Sequence, residues 1–201
     1  LQRIQKTALG GSIGFSKTGE PACETSRLPS GMRRRPVMLR AAEKLHNFVF
    51  KTGRTTLMLL AIKILLTIAT LGYSAIPGIF DSNNTHATNP SWTGHARYHV
   101  VWQVSSYVYV ALLMLCLIWI AGADTKLLWI VAITAACMYA GFWTAYASRP
   151  AYGGWLVDKV NGVPDFKWNL MGRRFTTDAN VSLFTPAVIV LVAAAILLVR
   201  L

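Results

Sequence analysis

A chain of 201 residues, 54% apolar and only 14% charged, falls well short of the roughly 25% charge of soluble domains. Its length suits one domain, and a net charge of +12 beside long uncharged runs points to an anionic lipid surface as partner. No RNP-like, zinc-finger or helix-turn-helix pattern is present, which argues against nucleic acid, and three cysteines without a CxxC argue against a disulfide framework or a zinc site.

Residues 1–37 are rich in Gly, Ser, Thr, Arg and Lys, and lack both apolar periodicity and the apolar run of a signal peptide. They are expected to be either a disordered basic tail or upstream sequence translated in error, ahead of a transmembrane domain over 38–201. From 38 to 52, Met38, Ala41, Ala42, Leu45, Phe48 and Val49 fall at helical spacing. Arg40, Glu43, Lys44, Asn47 and Lys51 take the other side. This pattern predicts an amphipathic helix in the membrane interface, or else a cytoplasmic extension of the first span.

Four spans follow, and the expected fold is an all-α four-transmembrane-helix bundle. The first covers 56–80, with Pro77-Gly78 as its stop. The second covers 98–122 and the third 127–147. Only residues 123–126 separate them, so these two must be antiparallel neighbours. Thr185-Pro186 reads as an N-cap and first-turn proline opening the fourth span, 185–201. Between spans three and four, residues 156–160, Asn161-Gly162 and 163–168 form a hairpin pattern, with Pro164 making the second strand an edge. Trp155, Phe166, Trp168 and Phe175 suit an aromatic cap on the membrane surface.

Lys and Arg set the orientation. Residues 1–55 hold eleven of the twenty, whereas the next loop carries only Arg97. Both termini are therefore expected on the cytoplasmic side of a bacterial-type inner membrane, beside anionic headgroups. The loop 148–185, with Arg149, Lys159, Lys167, Arg173 and Arg174, runs against this, but long loops translocate with little regard to charge.

The richest stretch is Gly94–Gln103. His95, His99, Gln103 and Tyr107 stand at i, i+4 steps and read as one polar stripe descending into the bilayer. Such side chains must meet protein or water rather than hydrocarbon, so the stripe is expected to face the bundle interior. Helix–helix hydrogen bonding accounts for it most simply. Two histidines at this spacing also suit a shared metal, with His86 as third ligand, or a haem or quinone. Arg97 is an anion clamp or a snorkelling residue, and Trp92, Tyr98 and Trp102 fit an interfacial belt.

Elsewhere, Lys63 is expected to snorkel or to pair with Asp124. Ala132, Ala136, Ala140 and Gly141 let a second helix approach closely, while Tyr139, Trp143 and Tyr146 wall a pocket or anchor the helix end. Cys116 and Cys137 read as small buried hydrophobes. No HExxH or P-loop occurs, and the spans contain no carboxylate, which argues against paired-carboxylate catalysis within the membrane.

The segment His95-Ala96-Arg97-Tyr98-His99 followed by Trp102-Gln103 resembles an HARxHxxWQ signature shared by small multi-pass membrane proteins of unassigned function. In size and layout the chain is similar to DoxX-like four-helix proteins. The resemblance implies a four-span fold and supplies no reaction. The residues together suggest an accessory membrane protein holding a small apolar ligand, a lipid or a partner subunit. The candidate residues are His95, Arg97, His99, Trp102, Gln103 and Tyr107. The alternative is a small oxidoreductase component binding a metal, haem or quinone through His95 and His99. A transporter is disfavoured, since no inverted repeat is evident.

Overall fold

The computed structural model describes residues 37–157 and 165–201. The chain divides into two units, Leu1–Glu43 and Lys44–Leu201. Four helices carry it: α1 (Val37–Phe80), α2 (Gly94–Ile120), α3 (Thr125–Tyr152) and α4 (Ala179–Val199). A two-stranded antiparallel hairpin, β1 (Phe166–Leu170) and β2 (Arg173–Thr177), precedes α4. All four helices are long and apolar enough to cross a membrane.

The segment 38–52 is not a separate interfacial helix; it runs into the first span within α1. No proline interrupts it, and the hydroxyls of Thr52, Thr55 and Thr56 donate to the carbonyls of Phe48, Lys51 and Thr52, four residues back. Such local bonds let hydroxyl residues sit inside a helix. Lys44–Leu57 is exposed throughout, and packing begins only at Met58. The span ends at Phe80, as expected, with Pro77 carried inside the helix's last turn. Bundled apolar helices tolerate such prolines because neighbours and local adjustments satisfy the freed carbonyls.

The core follows a four–three rhythm. Ile62, Leu66, Ala69 and Tyr73 of α1, Leu128, Ala132, Ala135 and Tyr139 of α3, and Ala187, Leu191, Ala194 and Leu198 of α4 are all buried. From α2 come Ala111, Met114 and Ile118. This is the seam that antiparallel bundles use for knobs-into-holes packing. Helix α1 runs antiparallel to α2: Lys63 lies over the Trp119 ring at 5.9 Å, whereas Gly78 lies beside Val108. Phe142 of α3 stacks on Phe184 of α4 at 4.4 Å. The α1–α2 and α3–α4 connections therefore share one end of the bundle, called here the loop end.

The α2–α3 turn is tight for identifiable reasons. Gly122 adopts φ +58°, and the Asp124 carboxylate accepts from the Lys126 amide at 2.9 Å, capping α3. Asp124 is thus used as a cap, and Lys63 rests on Trp119 instead of pairing with it. At the other end α3 runs past 147, carries Pro150 within its final turn and closes on Gly153 at φ +67°.

Two expectations about the last third are corrected. Helix α4 starts at Ala179, six residues before Thr185, because the Asp178 side chain accepts from the amides of both Asn180 and Val181. That leaves Pro186 inside the helix. The hairpin is also shifted. Phe166, Lys167 and Trp168 are strand residues, but their partners are Thr177, Thr176 and Phe175 rather than 156–160. The turn is Met171-Gly172, both at positive φ, the signature of a two-residue hairpin connection. The expected Asn161-Gly162 turn and residues 1–36 lie outside the described residues.

Candidate functional site

Thr93 opens α2, its hydroxyl accepting from the Ala96 amide at 3.2 Å, so the helix begins at Gly94 and carries both His95 and His99. At 1.5 Å per residue α2 is about 40 Å long, longer than the roughly 30 Å hydrocarbon thickness. If the Gly122–Asp124 turn marks one boundary of such a layer, His95, Arg97 and His99 would stand beyond the other, at the loop end. Gln103 lies roughly one turn below them.

The expected stripe forms two bonded pairs. His95 and His99 approach Nε2 to Nε2 at 3.0 Å, ring against ring at 90°. Gln103 donates to the Tyr107 hydroxyl at 2.5 Å. The stripe does not, however, point into the bundle. His95, His99, Trp102 and Gln103 are exposed, and only Tyr107 is half-buried. The reason is helical geometry: a step of four residues advances 40° beyond a full turn, so three steps carry the line some 120° around the axis. Buried Val104, Ala111 and Ile118 mark the inward face, which Tyr107 approaches and His95 leaves.

Arg97 is half-buried, and its guanidinium has no hydrogen bond or ion pair among the described residues. Tyr98 and Trp102 flank His99 at 5.8 and 5.9 Å, both largely exposed.

His86 does not join the histidine pair. Its Nδ1 lies 2.8 Å from the Thr85 hydroxyl and 3.5 Å from an Asp81 carboxylate oxygen, and its ring meets Trp92 edge-on at 5.3 Å. Burial pushes the Asp81 carboxyl above its ordinary value, and the His86 imidazole pulls the other way. Among the described residues no three His, Cys, Asp or Glu side chains converge on a common point. The triad His86, His95, His99 is therefore not assembled within one chain, because the α1–α2 connection folds His86 onto its own start.

Other expectations fall on different faces than anticipated. Ala132 is buried, while Ala136, Ala140 and Gly141 are exposed, again through the drift of a four-residue step. Cys116 and Cys137 are exposed, facing away from the bundle. Tyr139 is buried in the core, and its hydroxyl donates to the Ala69 carbonyl at 2.6 Å.

Tyr146, expected as a pocket wall, does line one, together with neighbours that the sequence reading did not join to it. Tyr146, Ala147, Arg149, Pro150, Gly153, Gly154 and Trp155 line an open cleft of about 470 Å³ where α3 ends. Its signal was the cluster of arginine, proline and paired glycines at the close of an aromatic-rich helix. No protein-family model, curated protein or solved structure matches the chain.

Proposed function

We propose that this is a non-catalytic accessory membrane protein that binds a small amphiphile with a neutral, hydrogen-bonding head through the outward face of α2. The observation that supports this is the exposure of His95, His99 and Gln103 on the face of α2 turned away from its buried residues. Beyond the two bonded pairs, the remaining donors and acceptors of these side chains stay open to a ligand head.

The bonding pattern defines the head. If one imidazole donates to the other through Nε2, the pair keeps one Nδ1 acceptor and one Nδ1–H donor. Gln103, having donated once to Tyr107, keeps its carbonyl and one N–H. In that bonding pattern every free group is a neutral donor or acceptor, so a carbonyl- or hydroxyl-bearing head fits. Its apolar tail would lie along the exposed flank of α2, past Trp102. Arg97 would then act as a guard at the mouth rather than as the main contact. The basic flank before α1 supports termini on the cytoplasmic side of an inner membrane, with this site near the outer face.

A second reading is a small oxidoreductase component. The two converging Nε2 atoms at 3.0 Å favour it, since a quinone carbonyl or two adjacent positions of a metal centre could use them, and one of them alone could serve a haem. Among the described residues no further His, Cys, Asp or Glu joins the pair to complete a metal shell.

Native mass spectrometry of the protein released in mild detergent tests both readings, beside a His95→Ala/His99→Ala variant and Gln103→Leu. Retention of one small amphiphile by the wild type and its loss from both variants is the expected result. A stoichiometric metal or haem with a visible absorption band would replace the first reading by the second. Equal, ligand-free spectra for all three proteins would overturn both.

A further inference from the structure

The geometry points to a second, separate site: the cleft at the end of α3 binds a phosphate group through Arg149. Helix α3 has 28 residues, about 42 Å of rise against roughly 30 Å of hydrocarbon. Measured from Leu127, some twenty residues cross the core and end near Tyr146. Arg149 therefore stands one turn further on, at the depth of lipid phosphates at the loop end.

The guanidinium is held before any ligand arrives. It stacks over the Tyr146 ring at 3.9 Å, and its Nε donates to the Tyr146 carbonyl at 2.7 Å. Those contacts use one of five N–H groups. The four on the terminal nitrogens have no partner among the described residues, and they form the planar fork that matches phosphate oxygens. Pinning a long side chain in advance removes much of the entropy that binding would otherwise cost.

The cleft walls fit the same ligand. Tyr152 folds back so that its hydroxyl donates to the Ala145 carbonyl at 2.8 Å, and its ring lies against Gly154, where any Cβ would collide with it. That keeps the wall low beside Arg149. Trp155 is 84% exposed at the rim, a residue suited to the headgroup layer. The bland role of Arg149, offsetting the helix dipole at the last turn, requires neither the stack nor the cleft. This site is charged and lies on α3, so it stands or falls independently of the neutral face on α2.

The test is native mass spectrometry of the full chain in neutral detergent, titrated with dioleoyl phosphatidylglycerol and, separately, with inorganic phosphate. The wild type is expected to hold one phosphate-bearing molecule. Arg149→Gln should weaken that binding about tenfold or more, the scale of a charge-assisted bidentate contact. Arg149→Lys, which keeps the charge but not the fork, and Tyr146→Leu, which removes the stack, should each weaken it several-fold. Arg174→Gln, an exposed charge on the hairpin, should bind as the wild type does. Arg149-dependent binding of the lipid without competition by inorganic phosphate identifies a headgroup site. Arg149-dependent binding of inorganic phosphate alone identifies a site for soluble phosphate groups. Should Arg149→Gln fail to fold, the Lys and Leu variants carry the test. Equal binding by the wild type and the Arg149 and Tyr146 variants, or an equal loss in Arg174→Gln, overturns the proposal.

Discussion

The Tyr139 hydroxyl donates to the main-chain carbonyl of Ala69 at 2.6 Å, across 70 positions of sequence, in the fully buried centre of the bundle. It ties α3 to α1 at a point where Tyr73 meets Tyr139 edge-on at 6.1 Å. Tyr139→Phe keeps the ring and removes the bond. The expected cost is about 0.6–1.5 kcal/mol, read by equilibrium unfolding in mixed micelles. Unchanged stability would mean that the bond contributes nothing beyond ring packing.

Gly72 explains how the two helices come so close. A Cβ there would strike the Tyr139 hydroxyl and approach the Ala187 Cβ to 3.1 Å. Gly72→Ala should destabilise by about 1–3 kcal/mol through overpacking. Adding Tyr139→Phe frees the space that the methyl needs, so the double variant should cost less than the sum of the two singles. Strict additivity would show that the crowding lies elsewhere.

Asp81 predicts a pH dependence at the loop end. Its carboxyl is raised above the ordinary 3.8, first by burial, with His86 opposing. The folded state thus holds this proton more tightly than the unfolded chain does. The contribution is greatest below 3.8 and is lost as pH rises through the raised folded value. Asp81→Asn should abolish that slope and raise the thermal midpoint at neutral pH, followed by circular dichroism in detergent. His86→Ala should displace the decline to higher pH. An Asp81→Asn midpoint that still falls over the same window would refute this.

Asp178 sets where the last helix begins. Asp178→Ala should cost about 0.5–2 kcal/mol, the usual loss for an N-cap, whereas Thr185→Ala, exposed within α4, should cost almost nothing. Thermal melts of the two variants side by side decide between the caps.

The hairpin turn carries a non-glycine residue, Met171, at φ +52°. Met171→Asn supplies the Asn-Gly pair that such turns favour and should relieve roughly 0.5–1 kcal/mol of strain. Amide hydrogen exchange at Phe175 and Thr177 reads the local gain. Faster exchange in the variant would argue that the Trp168–Phe175 stack at 6.4 Å holds the turn by itself.

What the amino-acid order determined alone was everything that is local in one dimension. Some twenty apolar residues are needed to cross hydrocarbon; three stretches have them, and 185–201 falls a few short until the structure extends it to Ala179. The short 123–126 connection forces α2 and α3 to lie antiparallel, and Asp124 and Gly122 are legible turn residues. The strand character of Phe166–Trp168 was legible for the same reason. What only the tertiary structure decided were faces and partners. A run of residues at four-residue steps circles the helix by 40° per step. Whether His95 or Tyr107 looks inward therefore depends on where the neighbouring helices sit, which α2 does not encode by itself. The same holds for Ala136 and Ala140 on α3, for the choice of β2 as partner to β1, and for Asp178 over Thr185 as cap. Each is a competition between locally similar options, and contacts from residues distant in sequence, such as Tyr139 on Ala69 or Phe142 on Phe184, settle which option the chain takes.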